Sequence, residues 1–413
     1  MSVQINTYMD LYALLKKEHY LGCLHMVQDN LLNIIRRKKR IRLGIQISFL
    51  SIWPGDNLVI NFMQDDRFDV DVILVWQRNT DREKEFSMLV NHFHQSGIPY
   101  VIADGTVHPS DYDILFFTSP YTFNLDNFGE RDITLDTLIC YIPYGIYVAN
   151  IQHMQYNMLM HNICWRNYAL TKADFIMGEK YCDIGSNAMV YAGYSKLDEL
   201  LDSDCKNKCT WKIMGNPEKV KKIIYAPHHS INELPYQSTF PSNFQFMLDY
   251  ARTHKDTTSW VFKPHPLLQM SAVRNGVFSS VEEFQDYCRQ WENLPNGHYV
   301  EGEYMSWFAS SDCMIFDSMS FIAEYLYVDK PSLFLTREKL NLNEFGEILM
   351  EAHYQVNGRD YAGIDNFICN QMELDEKKFI RRQIFHQVLD YYQVNRMNAA
   401  DFIYKDICTA IWG

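Results

Sequence analysis

From Ile41 onward, short apolar segments alternate with amphipathic stretches of helical length, and this alternation constrains the fold more than any other feature of the sequence. IRLGIQIS (41–48) and DVDVILVW (69–76) read as strands, with a helical stretch from Asp56 between them. EKEFSMLVNHFHQSG (83–97) reads as a helix that stops at Gly97; PYVIADG, DILFFTSP and LICYIPYG follow as strands. A helical stretch over 151–173 then leads to ADFIMGE and AMVYAGY, which read as two more strands. Short apolar strands separated by helices belong to a parallel sheet covered on both faces. Right-handed crossovers make such a sheet doubly wound.

The pattern then repeats. A polar, broken segment, DSDCKNKCTWKIMGNPEK (202–219), reads as a linker. Beyond it come strands at KKIIYAP (221–227), SWVFKPHP (259–266), DCMIFD (312–317) and PSLFLT (331–336), with helices over 241–254, 280–293 and 318–328. The α/β class and organisation follow: an N-terminal helical segment (1–40), a Rossmann-like domain expected to hold the acceptor (41–201), the linker, and a second Rossmann-like domain (220–395) expected to hold a nucleotide donor. A final helical segment (396–413) is expected to cross back to the first domain. Neither domain carries a G-x-G-x-x-G after its first strand; in the first, the nearest glycines are Gly44 and Gly55. That argues against a dinucleotide cofactor, and no other cofactor or metal is expected. Paired Rossmann-like domains without that fingerprint suit nucleotide-sugar transferases, which hold the donor in a central cleft at strand C-termini.

Charge and cysteine usage narrow the class. A net charge of −13 over 413 residues disfavours general nucleic-acid binding. The ten cysteines are scattered, and Cys205 and Cys209 have no second Cys/His pair at zinc-like spacing, so free thiols in a reducing cytoplasm are expected. The N-terminus lacks the basic-then-apolar order of a signal peptide, and no apolar stretch reaches the roughly 18 residues of a membrane span. One basic run, Arg36, Arg37, Lys38, Lys39, Arg40 and Arg42, follows a helix whose Leu21, Leu24, Leu31, Leu32 and Ile35 share a face. Such a pairing either lies on an anionic membrane surface or is a packed helix ending in a solvated charge run.

Three loops of the second domain follow strands, where open α/β sheets bind ligands. Tyr225-Ala-Pro-His-His-Ser places His228, His229 and Ser230 where they can donate to phosphate oxygens. Phe262-Lys-Pro-His-Pro places Lys263 and His265 on opposite sides of an extended segment. His265 is expected to reach the ligand, and Lys263 reads alternatively as a solvated strand-end charge. The third loop ends a strand at Asp317 and opens a helix at Ser318 and Ser320, whose free N–H groups would favour an anion. Glu324 could accept from ribose hydroxyls. The plainer readings are an N-cap for Ser318 and a surface charge for Glu324.

YAPHH (225–229), KPHP (263–266) and SDCMIFDSMSFIAEYLYVDKPSLF (311–334) together resemble the CDP-glycerol glycerophosphotransferase family of teichoic-acid and capsule polymerases, which has the two-domain GT-B fold. Gly193-Tyr-Ser-Lys-Leu-Asp198 is similar to that family's Gly-x-Pro-Arg-x-Asp segment. The resemblance covers about 190–335 well and the first domain weakly. It implies inverting, metal-independent transfer of a polyol phosphate (glycerol or ribitol phosphate) or a sugar from a nucleotide-linked donor, CDP-linked by preference. The acceptor would be a cell-surface glycan or lipid-linked chain, in capsule, teichoic-acid or O-antigen synthesis. His229 and His265 would contact the donor diphosphate, Ser318 and Ser320 phosphate, and Glu324 ribose. Work on such an acceptor implies a cytoplasmic location at the inner face of the membrane.

Two departures stand out. The family's first loop carries Thr-x-Arg after the proline, where this chain has His-His-Ser. The family's proposed base is a histidine in a Trp-His-Gly segment; here Ile142-Pro-Tyr-Gly-Ile146 puts Tyr144 in that place. Tyrosine is a weak base near neutral pH. His153, His161 and Asp104 are the other titratable groups nearby. A non-catalytic, nucleotide- or glycan-binding partner subunit and a nucleotide-sugar epimerase are therefore the alternative readings.

Overall fold

The computed structural model describes residues 5–78, 82–234, 236–337 and 340–413; the first four residues of the expected N-terminal helical segment lie outside these. The chain forms two compact units. Unit 1 comprises Met1–Ile146, Gln152–Asp198 and Leu389–Gly413; unit 2 comprises Tyr147–Ile151 and Glu199–Val388. The polar segment 202–219 thus lies within unit 2.

Unit 1 is built on seven strands: β1 (Ile41–Ile47), β2 (Phe68–Leu74), β3 (Tyr100–Ile102), β4 (Ile114–Phe117), β5 (Leu138–Tyr141), β6 (Arg166–Ala169) and β7 (Met189–Tyr191). They form one parallel sheet in the order β3-β2-β1-β4-β5-β6-β7. The order reverses between β1 and β4, the switch point of a doubly wound sheet. On one face Leu43, Ile45 and Ile47 pack with Leu58 and Phe62 and with Ile403, Ile407 and Ile411 from the helix Ala399–Trp412. On the other, Ile73, Leu115 and Phe117 pack with Tyr8, Leu11, Tyr20 and Leu24. The N-terminal helices therefore cover the sheet and are not an appendage. Tyr8 and Tyr20 bury their hydroxyls by donating to the carbonyls of Thr137 and Asn162, at 2.9 and 2.7 Å.

ADFIMGE is not a strand. The helix Lys172–Tyr181 contains it, begun by a capping box in which Thr171 and Asp174 bond reciprocally. Three consecutive apolar residues imitated a strand, and the local cap decides otherwise.

Most of the basic run is occupied inside unit 1. Arg36 donates to the carbonyls of Ile411 and Ala410, at 2.8 and 3.0 Å, closing the C-terminal end of Ala399–Trp412. Lys38 pairs with Asp113 at 2.5 Å, Arg40 donates to the Asp66 carbonyl, and Arg42 lies 3.6 Å from Asp71 and over the Tyr112 ring. The helix Lys17–Ile35 buries Tyr20, Leu24, Leu31 and Ile35. The packed-helix reading accounts for this segment.

The Gly193–Asp198 segment has a structural task as well. Gly193 has φ +87° and lies flat against the Tyr391 ring, which a Cβ would meet at 2.1 Å. Buried Lys196 donates to the Ser51 carbonyl. The Asp198 carboxylate accepts from the Tyr391 hydroxyl (2.5 Å) and from the N–H groups of Ala399 (3.0 Å) and Ala400 (2.8 Å). Asp198 thus caps the returning helix.

Unit 2 carries β8 (Lys221–Ala226), β9 (Thr258–Phe262), β10 (Gly297–Tyr299), β11 (Cys313–Phe316), β12 (Ser332–Thr336) and β13 (Tyr354–Asn357). They form a parallel sheet in the order β10-β9-β8-β11-β12-β13, with its switch point between β8 and β11. Its core joins Tyr225, Trp260 and Phe262 to Phe240, Tyr287 and Trp291. Arg381 is fully buried and held by Asp329 (2.9 Å) and Asp375 (2.7 Å).

Replacing Asp198 by Ala should leave three donors without their acceptor and cost about 2–4 kcal/mol. The urea midpoint should fall, and proteolysis should accelerate beyond Leu389. An unchanged midpoint and digestion pattern would show that the cap does not hold the returning helix.

Candidate functional site

Register brings the histidines together. Tyr225 of β8 pairs with Phe262 of β9. His228 and His265 each lie three residues beyond that pair, so both strand ends deliver a histidine at one height. Pro227 has no N–H with which to extend the ladder. Its carbonyl instead accepts from His265 N–H at 3.0 Å, which runs the KPHP segment alongside APHH. The ring centroids of His228, His229 and His265 lie 4.3, 5.0 and 4.2 Å apart, taken pairwise.

The hydrogen bonds define the protonation of two of these rings. His228 Nδ1 accepts from Ser230 N–H at 3.2 Å, and His265 Nδ1 accepts from Leu267 N–H at 3.1 Å. A neutral ring that accepts at Nδ1 carries its proton on Nε2. Burial, with the neighbouring imidazoles adding to it, holds both rings well below the usual histidine pKa. His229 is pushed down to about 4, chiefly by burial and then by Arg274. The cluster is therefore neutral at physiological pH and presents Nε2–H donors. His229 Nδ1 is buried with no hydrogen-bond partner, while its Nε2 lies 3.7 Å from Glu233.

One nitrogen from each ring lies within 4.8 Å of the others, close enough to share a metal ion. A histidine that binds metal through one nitrogen normally donates its N–H from the other. In His228 and His265 a backbone N–H already points at Nδ1, which puts the proton on Nε2, where a metal would need a lone pair. The donor set suits an anion such as a phosphate oxygen.

Other expected contacts are engaged within the protein. Asp317, 1 % exposed, accepts from His228 N–H, Thr239 N–H and the Thr239 hydroxyl. Burial pushes its carboxyl up to about 6 against those bonds. It organises the loop and has no oxygen left to face a ligand. Ser230 is fully buried; its hydroxyl bonds His228 Nδ1 and accepts from Gln237 N–H. Ser318 donates to the Ala226 carbonyl at 3.1 Å and caps no helix. The α-helical turn after Ser320 is short, Phe321–Glu324, and continues as a 3-10 turn, Tyr325–Val328. Ser320 is half-buried and makes no side-chain cap, so it stays available to a ligand.

Lys263 and Glu324 depart furthest from their plainer readings. Lys263 is 4 % exposed, its ammonium 4.8 Å from the Tyr304 ring centroid; it is not a solvated charge. Glu324 is 1 % exposed and accepts from the Tyr304 hydroxyl at 2.5 Å; it is not a surface charge. Cation, ring and carboxylate form one buried group beside the KPHP loop.

In unit 1, Tyr144 follows β5 and its hydroxyl lies 3.0 Å from that of Tyr121, while its carbonyl accepts from Tyr194. Burial raises the Tyr121 pKa, partly offset by this bond. His161 is buried, pushed down to about 3, and its Nδ1 caps the turn at Met158. Asp104 is exposed and is held low by Thr106. His153 is exposed on the short helix Gln152–Tyr156. Two groups had no signal in the sequence: Gln46 in β1, with both side-chain amide atoms buried and unpartnered, and Ser48 just beyond it, with a buried, unpartnered hydroxyl. They stand where β1 and β4 diverge, at the switch point of the sheet.

The profile of the CDP-glycerol:poly(glycerophosphate) glycerophosphotransferases matches residues 169–395. No curated protein sequence matches the chain. Among solved structures, the wall teichoic acid polymerase TagF, in a histidine-to-asparagine variant, superposes with TM-score 0.58 at 11% identity, over 96% of this chain and 98% of that one. The same variant soaked with CDPG gives TM-score 0.57 at 11% identity, over 95% and 96%. The UDP-GlcNAc 2-epimerase of Neisseria meningitidis, bound to UDP-GlcNAc, gives 0.56 at 12% identity, over 90% and 100%. These likenesses show the fold, two parallel α/β sheets of the GT-B kind. With more than half of its length matched by that profile, the chain belongs to the CDP-glycerol:poly(glycerophosphate) glycerophosphotransferase family and is a transferase.

Proposed function

We propose that this transferase moves a polyol phosphate, glycerol or ribitol phosphate, from a CDP-linked donor to a cell-surface glycan acceptor, and that the histidine cluster of unit 2 binds the donor diphosphate. The observation that carries this reading is the neutral cluster at the ends of β8 and β9, with its Nε2–H donors set by backbone bonds. The acceptor hydroxyl oxygen bonds to the phosphorus that carries the polyol, the bond from that phosphorus to CMP breaks, and the departing CMP phosphate takes up the acceptor's proton, directly or through solvent. Preorganised N–H donors stabilise such a leaving phosphate without reorganising. Ser320 adds a hydroxyl, and the buried Lys263–Tyr304–Glu324 group supports the KPHP loop.

On unit 1, Tyr144 is the acceptor-side candidate. A neutral phenol orients an acceptor hydroxyl by hydrogen bonding and is a poor base. A lipid-linked acceptor would bring the protein to the inner face of a membrane from the cytoplasm. Arg37 and Lys39, which make no ion pair among the described residues, are the side chains of the basic run left to face anionic lipid. No helix among the described residues is long and apolar enough to cross a membrane.

Calorimetry with CDP-glycerol, CDP-ribitol, and UDP- and GDP-linked sugars should show binding with cytidine preferred. His265→Ala should weaken it by about 1.5–3 kcal/mol, the worth of a hydrogen bond to a charged group, and abolish transfer with the fold intact. Absence of binding by every member of the panel would sink the reading.

The same histidines predict an acid-sensitive fold. In the unfolded chain His229 titrates near 6.5, and in the fold at about 4. Below pH 6.5 the unfolded state binds the proton first. The contribution of neutral His229 is thus complete above 6.5 and is lost between 6.5 and 4, by ~3 kcal/mol. Asp317 acts in the opposite sense below about 6. The comparison is therefore between native protein and His229→Asn by urea denaturation across this range. The native protein should lose more stability on acidification, and equal losses would contradict the assignment.

A further inference from the structure

Unit 2 contains a cavity of about 780 Å³ beyond the C-terminal ends of β12 and β13 and beside the start of the helix Phe240–Thr253. Two arginines line it, Arg337 just after β12 and Arg359 just after β13, and no carboxylate is among its described lining residues. Arg337 is anchored by donating to the Ile231 carbonyl at 2.5 Å. Arg359 is exposed, and no acidic partner is described for its guanidinium.

The wall formed by the chain before the helix points the same way. Ser238 lines the cavity and is 1 % exposed, yet its hydroxyl has no hydrogen-bond partner. A buried hydroxyl left unpaired is unfavourable, and a bound acceptor would satisfy it. The 14-residue helix starts at this wall with no side-chain cap, because the Thr239 hydroxyl is committed to Asp317. The internal anion at this helix start, the Asp317 carboxylate, is taken up by the Thr239 N–H and hydroxyl. Tyr236 and Tyr361, both well exposed, add hydroxyl-bearing rings at the sides, and the Tyr361 ring stacks on Phe246 at 4.3 Å.

We propose that this cavity is a second anion site, which holds a phosphate ester of a small polyol through Arg337, Arg359 and the Ser238 hydroxyl. Two guanidinium groups give forked, charge-assisted donors matched to phosphate oxygens. The polar side walls suit a hydroxylated chain better than an apolar one. The site shares a wall with the histidine cluster, since Asp317 bonds both Thr239 and His228, but it uses none of the histidines. It therefore stands whether or not the nucleotide donor binds as proposed above.

The test titrates the full chain with glycerol 3-phosphate and, separately, with inorganic phosphate, by calorimetry. Saturable binding is expected, with the ester at least as tight as inorganic phosphate. Arg359→Gln should weaken the ester at least tenfold, and Ser238→Ala should weaken it severalfold. His265→Ala should leave it unchanged, and CMP binding should survive Arg359→Gln. Arg359 is exposed and outside the core, so that variant tests the site without threatening the fold; Arg337→Gln provides the second measurement. The proposal fails if neither probe binds saturably, if Arg359→Gln binds the ester as tightly as the native protein, or if ester binding disappears in His265→Ala and persists in Arg359→Gln.

Discussion

A buried carboxylate holds the end of unit 2 together. Asp317 follows β11 at the switch point and accepts from His228 N–H, from Thr239 N–H and from the Thr239 hydroxyl. Hydrogen bonds to a charged acceptor are about twice as strong as neutral ones, and a buried charge without them is costly. One side chain thereby joins the ends of β8 and β11 to the start of the helix Phe240–Thr253. The consequences run outward. With His228 held by its backbone, Ser230 can approach Nδ1, and that contact sets where the ring proton lies. With the Thr239 hydroxyl committed, the helix starts uncapped. The chemistry of two neighbouring places in the unit descends from one oxygen pair.

The alternating strand–helix pattern exposes most central strands of both sheets, because a strand buried on both faces is a continuous apolar run; the exception is β6, Arg-Asn-Tyr-Ala, which lies between β5 and β7 inside the stretch 151–173 that reads as helical. The edge strands of unit 2 escape such a reading. β10 is Gly-His-Tyr and β13 is Tyr-Gln-Val-Asn, short and only partly buried, so neither contains an apolar run. The helix Lys172–Tyr181 escapes for the opposite reason, since Phe175, Ile176 and Met177 look like a strand and only the capping box decides.

The positions of the site loops are legible for the same reason as the strands, because they follow them. What each side chain does is not legible. Ser318 finds its acceptor 92 residues away at Ala226, and Asp317 finds its donors 89 and 78 residues away. A residue that reads as ligand-facing becomes a fastening once its partner arrives by folding. Lys263 and Glu324 part from their plainer reading as surface charges, because burial with Tyr304 makes them part of a polar interior. Gln46 and Ser48 carry no sequence signal, because an amide or hydroxyl at a strand end is common and only its missing partner distinguishes it.

The helix Ala399–Trp412 supplies Ile403, Ile407 and Ile411 to a sheet whose first strand begins at Ile41. Synthesis runs the other way through this arrangement. Unit 2 ends at Val388, so all of its strands have left the ribosome before that helix is made. The earlier-made sheet must wait, with the face that carries Ile45 and Ile47 covered only in part by Leu58 and Phe62, while about 200 further residues are added at roughly 5–20 residues per second. For ten seconds or more the nascent chain carries an apolar surface that its last helix has yet to cover. Stalled or truncated translation products would fail in the half of the protein that was made first.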